Sequence, residues 1–446
     1  MAGGFGDRLA RGVTFWGTVG AVMTALKLKE QHDNYSSLPG DEEGFNHGPV
    51  ALQNPNLDEE AADGASLLDT SLPNGRPKRQ RKAVCCTCFG LRCGICAFWK
   101  AFGIVLLLFL GYQAIRLAIW AAKPKPTGLE GMPEFGTSLG CADAKFLFNG
   151  TKMDIHIPVG SHKDDHSLDV RGGAMGTIIL AQGSPDLTEV RYELTLRSDA
   201  PSLFKDVVLD YPAPDEMEDN MRSSRLQLST PGLLGLGCMR FDMTIYLPVN
   251  LRTLHVQAHA LSQIKFDENS NFDLEKLSVS MYKLDQRSML LPTEGMHAEN
   301  MKLQITRGWL VGSVTAGDEV SLMTQNGDAV LNVHVHPAPS SAEPPSPVRL
   351  LTSTGAGRTD VVWASHAVGL PHRPIDATHH MSMGGEAYLT YKDAGYNGTV
   401  DLTAKSFTAT GLQAVFEKEG LLPYVGSRAG VDRMLVKAQG WVGLYF

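Results

Sequence analysis

From Ala101 to Ala122 the chain reads AFGIVLLLFLGYQAIRLAIWAA, 22 residues with one charge, Arg116. Nothing else in the sequence restricts the fold as much. About 20 helical residues at 1.5 Å each cross a hydrocarbon core roughly 30 Å thick. Trp99 and Trp120 stand where the two interfaces of such a span fall, which suits the indole's apolar body and polar edge. Arg116 is close enough to the C-terminal end to reach outward along its own stem. The alternative is a buried core helix, but the length and the flanking aromatics favour a transmembrane helix at 101–122.

The flanks predict the orientation. Arg76, Lys78, Arg79, Arg81, Lys82, Arg92 and Lys100 precede the run, whereas Lys123 and Lys125 follow it. The larger basic excess stays cytosolic. Residues 1–100 are therefore expected inside and 123–446 outside, as an uncleaved signal-anchor in the plasma membrane or a secretory-pathway membrane. Cysteine usage agrees. Five of the seven, Cys85, Cys86, Cys88, Cys93 and Cys96, crowd the cytosolic side, and Cys141 and Cys238 stand alone beyond the span. Clustered thiols fit a reducing compartment and an isolated pair fits a disulfide in an oxidising one. The sequons Asn149-Gly-Thr and Asn397-Gly-Thr lie on the outer side, where N-glycosylation occurs. Asn34-Tyr-Ser, on the inner side, is expected to stay unmodified.

Within the inner part, residues 1–30 read as an amphipathic helix, with Phe5, Leu9, Val13, Trp16, Val19, Met23 and Leu26 at steps of three and four. It fits a membrane interface or a partner surface; a mitochondrial presequence is the rival reading. Residues 31–100 are expected to be a disordered tail. The stretch 30–75 holds ten acidic residues and no Lys or Arg, so it buries too little apolar surface to offset its chain entropy. The polybasic run Arg76, Lys78, Arg79, Arg81, Lys82 then fits anionic lipid, at about 1 kcal/mol per basic residue near the surface. The juxtamembrane cysteines Cys85, Cys86, Cys88, Cys93 and Cys96 suit S-palmitoylation. Cys93-Gly-Ile-Cys96 also has zinc-ligand spacing, although no matching second pair or nearby His accompanies it.

Residues 123–138 read as a linker, and 139–446 as a β-rich domain. Period-two stretches include Arg191–Arg197, Leu254–Ala260 and Val330–Val335. A strand, a Gly-centred turn and a second strand recur around Gly308, Gly327, Gly355 and Gly384, at spacings of 19, 28 and 29 residues. The prolines of 337–349 lengthen one of these units. Such periods predict a mostly β fold, a right-handed parallel β-solenoid-like domain of stacked rungs. The alternative is a β-sandwich, for which the Asn-Gly turns at 149–150, 326–327 and 397–398 speak. Residues 123–446 carry 28 Lys/Arg against 37 Asp/Glu, so this part has no electrostatic reason to bind nucleic acid.

The Thr-x-x-Gly strand-turn-strand units over about 300–410 resemble the putative-adhesin β-solenoid domain of bacterial and fungal proteins. With the acidic tail, basic patch, cysteines and span, the arrangement is similar to uncharacterised fungal single-pass membrane proteins carrying that domain. The resemblance implies a surface or luminal binding role for a glycan or protein ligand. It implies no catalytic residues and no cofactor.

Catalytic signatures are weak. No Gly-x-Ser-x-Gly elbow, Walker A loop or His-Glu-x-x-His occurs. His255, His259, His334 and His336 are the candidates for a metal-assisted hydrolase, provided that they converge. His162-Lys-Asp-Asp-His166 with Asp169 reads as a solvated acidic loop. Trp309 and Trp441 sit in Gly-Trp motifs, which suit an end cap or a sugar-stacking platform. The readings are therefore a non-catalytic, adhesin-like binding protein, a membrane-anchored hydrolase, and a tether acting through its cytosolic tail.

Overall fold

The computed structural model describes residues 94–122, 127–160, 165–212, 223–232, 237–340, 342–365, 371–413 and 421–446. Of the first 93 residues it describes Val22, Thr24, Ala25, Leu28 and Lys29, all helical. The polybasic run, most of the acidic tail, and Cys85, Cys86, Cys88 and Cys93 lie outside the described residues. The chain divides into two compact units, 1–125 and 126–446.

In the first unit, α1 (Gly94–Ala122) begins two residues before Cys96. Its stretch Trp99–Ile119 has a mean hydropathy of 2.0 and is long and apolar enough to cross a membrane. Leu107, Leu108, Ile115 and Leu117 are all exposed, so this helix does not hide its apolar surface inside protein. A helix apolar all round needs an apolar surrounding.

The second unit is built from strands. They run β1 (Phe146–Leu147), β2 (Met153–Pro158), β3 (Asp165–Arg171), β4 (Met175–Gln182), β5 (Glu189–Ser198), β6 (Val208–Asp210) and β7 (Arg225–Ser229). Then come β8 (Met239–Leu247), β9 (Thr253–Ala258), β10 (Leu261–Phe266), β11 (Phe272–Met281), β12 (Met289–Leu291), β13 (Met296–Ile305) and β14 (Trp309–Thr324). The last are β15 (Val330–Pro337), β16 (Val348–Thr354), β17 (Arg358–Trp363), β18 (Ile375–Met381), β19 (Glu386–Thr390), β20 (Gly398–Thr410), β21 (Tyr424–Val425) and β22 (Asp432–Tyr445).

The pairings form two parallel ladders. One runs β7–β3–β9–β11–β13–β14–β16–β18–β22–β20. The other runs β8–β4–β10–β12–β14–β15–β17–β19–β22–β20. The long strands β14 and β22 belong to both, so β14, β15, β17, β19, β22, β18 and β16 close into a parallel ring of seven. Antiparallel pairs occur at the ends, where β5 joins β1, β2 and β8, β6 joins β7, and β21 joins β20. The mostly β expectation therefore holds. The hairpin that the sandwich alternative required at Asn326-Gly327 is instead a turn between β14 and β15, which pair in parallel.

Alternation fills the core. Leu254, Leu277, Met301, Val320, Leu350 and Ala377 occupy one register column of the first ladder and are all buried. Each large apolar side chain in such a column contributes roughly 1.5–3 kcal/mol by leaving water. The facing ladder supplies Ile178, Ile264, Leu290, Leu310, Leu331 and Leu389 to the same cluster.

One corner needs glycine. A Cβ on Gly357 would lie 1.9 Å from the Ala329 carbonyl oxygen, one on Gly385 2.5 Å from that of Gly357, and one on Gly440 1.9 Å from that of Gly385. The repeating corner thus runs through Ala329, Gly357, Gly385 and Gly440. Two of the expected anchors are displaced from it: Gly327 and Gly384 have open space where a side chain would stand. The ladder registers give the actual steps. Leu310 pairs with Leu331, Leu331 with Thr359, and Thr359 with Ala387. The proline-rich insert lies between β15 and β16, where buried Arg373 holds it by donating to the Ala338 and Ser346 carbonyls at 2.9 Å each.

The stretch expected as a linker becomes a strap from Thr127 onward. Asn332 donates to the Thr127 carbonyl (3.3 Å), and the Gly136 amide donates to Gln263 Oε1 (2.5 Å). Arg240 donates to the carbonyls of Gly136 and Gly140, and Arg197 to that of Ala142. The strap therefore crosses the outer face of the second ladder from β15 to β8 and continues onto β5. Gln263 and Arg240 point outward from the sheet, yet both are buried beneath it. Beyond it a disulfide joins Cys141 to Cys238, with Cα atoms 5.9 Å apart.

Candidate functional site

Among the described residues, no strap crosses the outer face of the first ladder over its middle strands. Side chains alternate along each strand, so the register places one outward column through Ser167, His255, Ser278, Lys302, Ser321 and Leu351. The adjacent column contains Lys276, Asn300 and Glu319. All of them except Ser167 line a shallow groove of about 580 Å³ across β9, β11, β13, β14 and β16, with Met323 also on its wall.

Its chemistry is that of donors. Lys276, Lys302 and Asn300 are exposed, and neither lysine makes an ion pair among the described residues. Ser321 is 6% exposed, and its buried Oγ has no hydrogen-bond partner. Burial and the neighbouring Lys276 charge push the His255 imidazole below its ordinary pKa, against an opposing pull from Asp165. The balance favours the neutral imidazole, in which one ring nitrogen donates and the other accepts. Glu319 is the acid on the groove wall.

The four candidate hydrolase histidines do not gather here. His259 lies at the turn after β9, stacked on Tyr282 with ring centroids 4.5 Å apart. His334 and His336 lie on β15, in the other ladder, where His336 stands 3.6 Å from Glu294. Among the described residues no group of three or more His, Cys, Asp or Glu could hold a metal ion. Sequence spacing paired His255 with His259 and His334 with His336, but successive strands turn into different ladders.

Sequence reasoning missed the histidines that matter to the core. His166 was expected in a solvated loop, and it is buried on β3. Its Nδ1 is 2.7 Å from Ser224 Oγ and its Nε2 2.5 Å from the Tyr192 hydroxyl. Ser224 already donates to the Pro158 carbonyl (2.6 Å), so it accepts from Nδ1–H, and Tyr192 donates to Nε2. His379 on β18 repeats the arrangement, 2.8 Å from Thr352 Oγ1 and 2.8 Å from the Tyr391 hydroxyl. Burial pushes both imidazoles down to about 3. His166 directly follows Asp164-Asp165, which masked its inward position.

The sequon asparagines Asn149 and Asn397 are both exposed. Asn149 occupies a left-handed turn (φ 53°), and Asn397 accepts from the Ser427 amide at 2.7 Å. Trp441 is half-buried on β22, with its ring 4.9 Å from that of Tyr388. Tyr388 in turn lies under the Arg358 guanidinium at 4.2 Å. A side chain at Gly443 would strike Trp441 and Tyr445, so those rings lean together over the sheet. Trp309 is half-buried at the start of β14, where it pairs with β12 and β15.

No family model matches the chain, and no curated protein matches it. Among solved structures, it is similar to a "putative cell adhesion protein" from Clostridium sporogenes at 11% identity, covering 66% of this chain and 99% of that one, with a TM-score of 0.19. A "putative adhesin" from Parabacteroides distasonis is similar at 13% identity, with coverages of 67% and 98% and a TM-score of 0.26. A "putative lipid binding protein" from the same organism is similar at 11% identity, with coverages of 67% and 98% and a TM-score of 0.22. Likeness at this level assigns no activity to the chain.

Proposed function

We propose that this chain is a single-pass, N-terminus-inside membrane protein that presents a non-catalytic, adhesin-like β-solenoid for binding outside the cytosol. The observation that carries the reading is the groove: an open polar face with unpaired cationic and hydroxyl groups, made by side chains from five adjacent strands. Each turn of the chain adds one strand to each ladder, and rungs stacked in this way present a long, regular surface. The scattering of His255, His259, His334 and His336 removes the geometric basis for the metal-assisted hydrolase.

Membrane attachment is supported by the apolar α1 and the basic residues that precede it. The Cys141–Cys238 bond suits an oxidising compartment, and exposed Asn149 and Asn397 would be glycosylated there. The polybasic run would hold anionic lipid on the inner side, with the cysteines from Cys85 to Cys96 as lipidation sites.

A glycosidase-shift assay on the full-length protein tests the topology. A shift that disappears in the Asn149→Gln/Asn397→Gln variant is the expected result. If added protease cleaves residues 1–100 on intact cells while sparing the β-domain, the orientation is reversed and surface binding falls.

A further inference from the structure

The groove on the first ladder specifies the charge and kind of its ligand. Lys276 on β11 and Lys302 on β13 come from adjacent strands, and Asn300, Ser278 and Ser321 lie around them. The surrounding domain has nine more acidic than basic residues, so two unpaired ammonium groups in one groove depart from the prevailing charge. Strands about 4.8 Å apart extend the five-strand groove over roughly 19 Å across the rungs. A site of that length suits a chain better than a single small anion.

Each of the five strands is paired on both sides, so no free edge here can receive a peptide by strand addition. The ligand must be recognised by side chains on the sheet face. Hydroxyl, amide and imidazole groups match a polyol, and the two ammonium groups match acid substituents on it. The unpartnered Ser321 hydroxyl lacks a hydrogen bond that a ligand could supply after a small side-chain shift. Met323 and Leu351 supply a small apolar floor of the kind a sugar ring's C–H face covers. Glu319, on the same wall, would repel an acid group placed beside it and so restricts register.

We propose that this groove binds a linear acidic polysaccharide, with Lys276 and Lys302 on its sulfate or carboxylate groups. His255, Ser278, Asn300 and Ser321 bond its hydroxyls. The proposal rests on the surface-binding reading above and adds the ligand class.

The test uses the full-length protein in phosphatidylcholine nanodiscs and fluorescence anisotropy. The labelled probes are a dextran sulfate oligosaccharide, neutral dextran and polyglutamate of matched size. Dextran sulfate should bind at least tenfold more tightly than either of the others, and more weakly as salt rises. Lys276→Gln and Lys302→Gln should each weaken it about fivefold, and the pair about twentyfold, as expected for charge-assisted contacts near 1 kcal/mol. Lys437→Gln, an exposed lysine on β22 of the same ladder, should change nothing, and unaltered thermal melts show that the variants fold. Unweakened binding by the double variant overturns the proposal, as does polyglutamate binding equally well, or no binding of dextran sulfate. If wild type and variants bind neutral dextran alike while dextran sulfate fails, the acidic ligand is wrong but surface binding stands. If the glycosidase shift is absent and protease reverses the topology, the surface-binding reading itself fails.

Discussion

Lowering the pH from 7 to 5 should destabilise the β-domain by about 4 kcal/mol through two buried side chains. His166 and His379 are 1% and 2% exposed, and burial pushes both imidazoles down to about 3. In the unfolded chain each titrates at about 6.5. Between those values the unfolded state binds more protons than the folded one, so folding stability rises with pH. The contribution is complete above about 6.5 and is lost progressively as pH falls towards 3. At pH 5 each histidine costs about 2 kcal/mol, because 1.5 pH units below the unfolded pKa correspond to that much at about 1.4 kcal/mol per unit.

Guanidinium unfolding of the full-length chain in detergent micelles measures the effect, followed by tryptophan fluorescence. Buried Trp363 stacks on Tyr391, the hydroxyl partner of His379, and so reports on that end of the core. His166→Gln and His379→Gln should each be less stable at pH 7, from imperfect hydrogen bonding. Each should also lose about half of the wild-type difference between pH 7 and 5. Exposed His259→Gln should keep the whole difference. If both buried-site variants keep it too, the pH dependence comes from elsewhere, and the burial argument is refuted.

Other expectations concern packing and covalent closure. Gly385→Ala should destabilise by about 3 kcal/mol in thermal or denaturant melts, since its Cβ would meet the Gly357 oxygen at 2.5 Å, whereas Gly327→Ala should be near neutral. Leu277→Ala, at a fully buried column position, should cost about 2–5 kcal/mol by leaving a cavity. Cys141→Ser/Cys238→Ser opens a link between residues 97 apart and should cost about 4 kcal/mol. It should also raise proteolysis within 127–140, read by mass spectrometry, because the strap loses its fixed end.

Much of the domain was legible because alternation is a local property. Leu254, Val256 and Ala258 on β9 could be assigned inward from the sequence, which left His255 and Gln257 outward, and the structure agrees. The Gly-punctuated period also gave approximate turn positions, since a corner repeats wherever the chain turns. It misplaced the close contacts by up to two residues: Gly355 was the expected anchor, and Gly357 is the one against its neighbour's carbonyl. Gly357 fails to announce itself because a tight approach depends on the chain stacked beside it. The groove was less legible still. His255 was singled out for a metal, while Lys276, Lys302 and Ser321 drew no attention, since each lies on a different strand.

By itself the sequence determined the properties carried by a single stretch of chain. An apolar run of 22 residues must find apolar surroundings wherever it lies, and period-two alternation must bury one face. It also placed the two isolated cysteines and the sequons at Asn149 and Asn397 on one side of that run. Tertiary structure alone decided which strands became neighbours. Rungs of unequal length brought Lys276 beside Lys302, parted His255 from His334, buried His166 and laid the strap over Gln263 and Arg240. Those outcomes depend on register between segments tens of residues apart. Register is set by how the two ladders fill a shared core, a quantity that no local stretch of sequence contains.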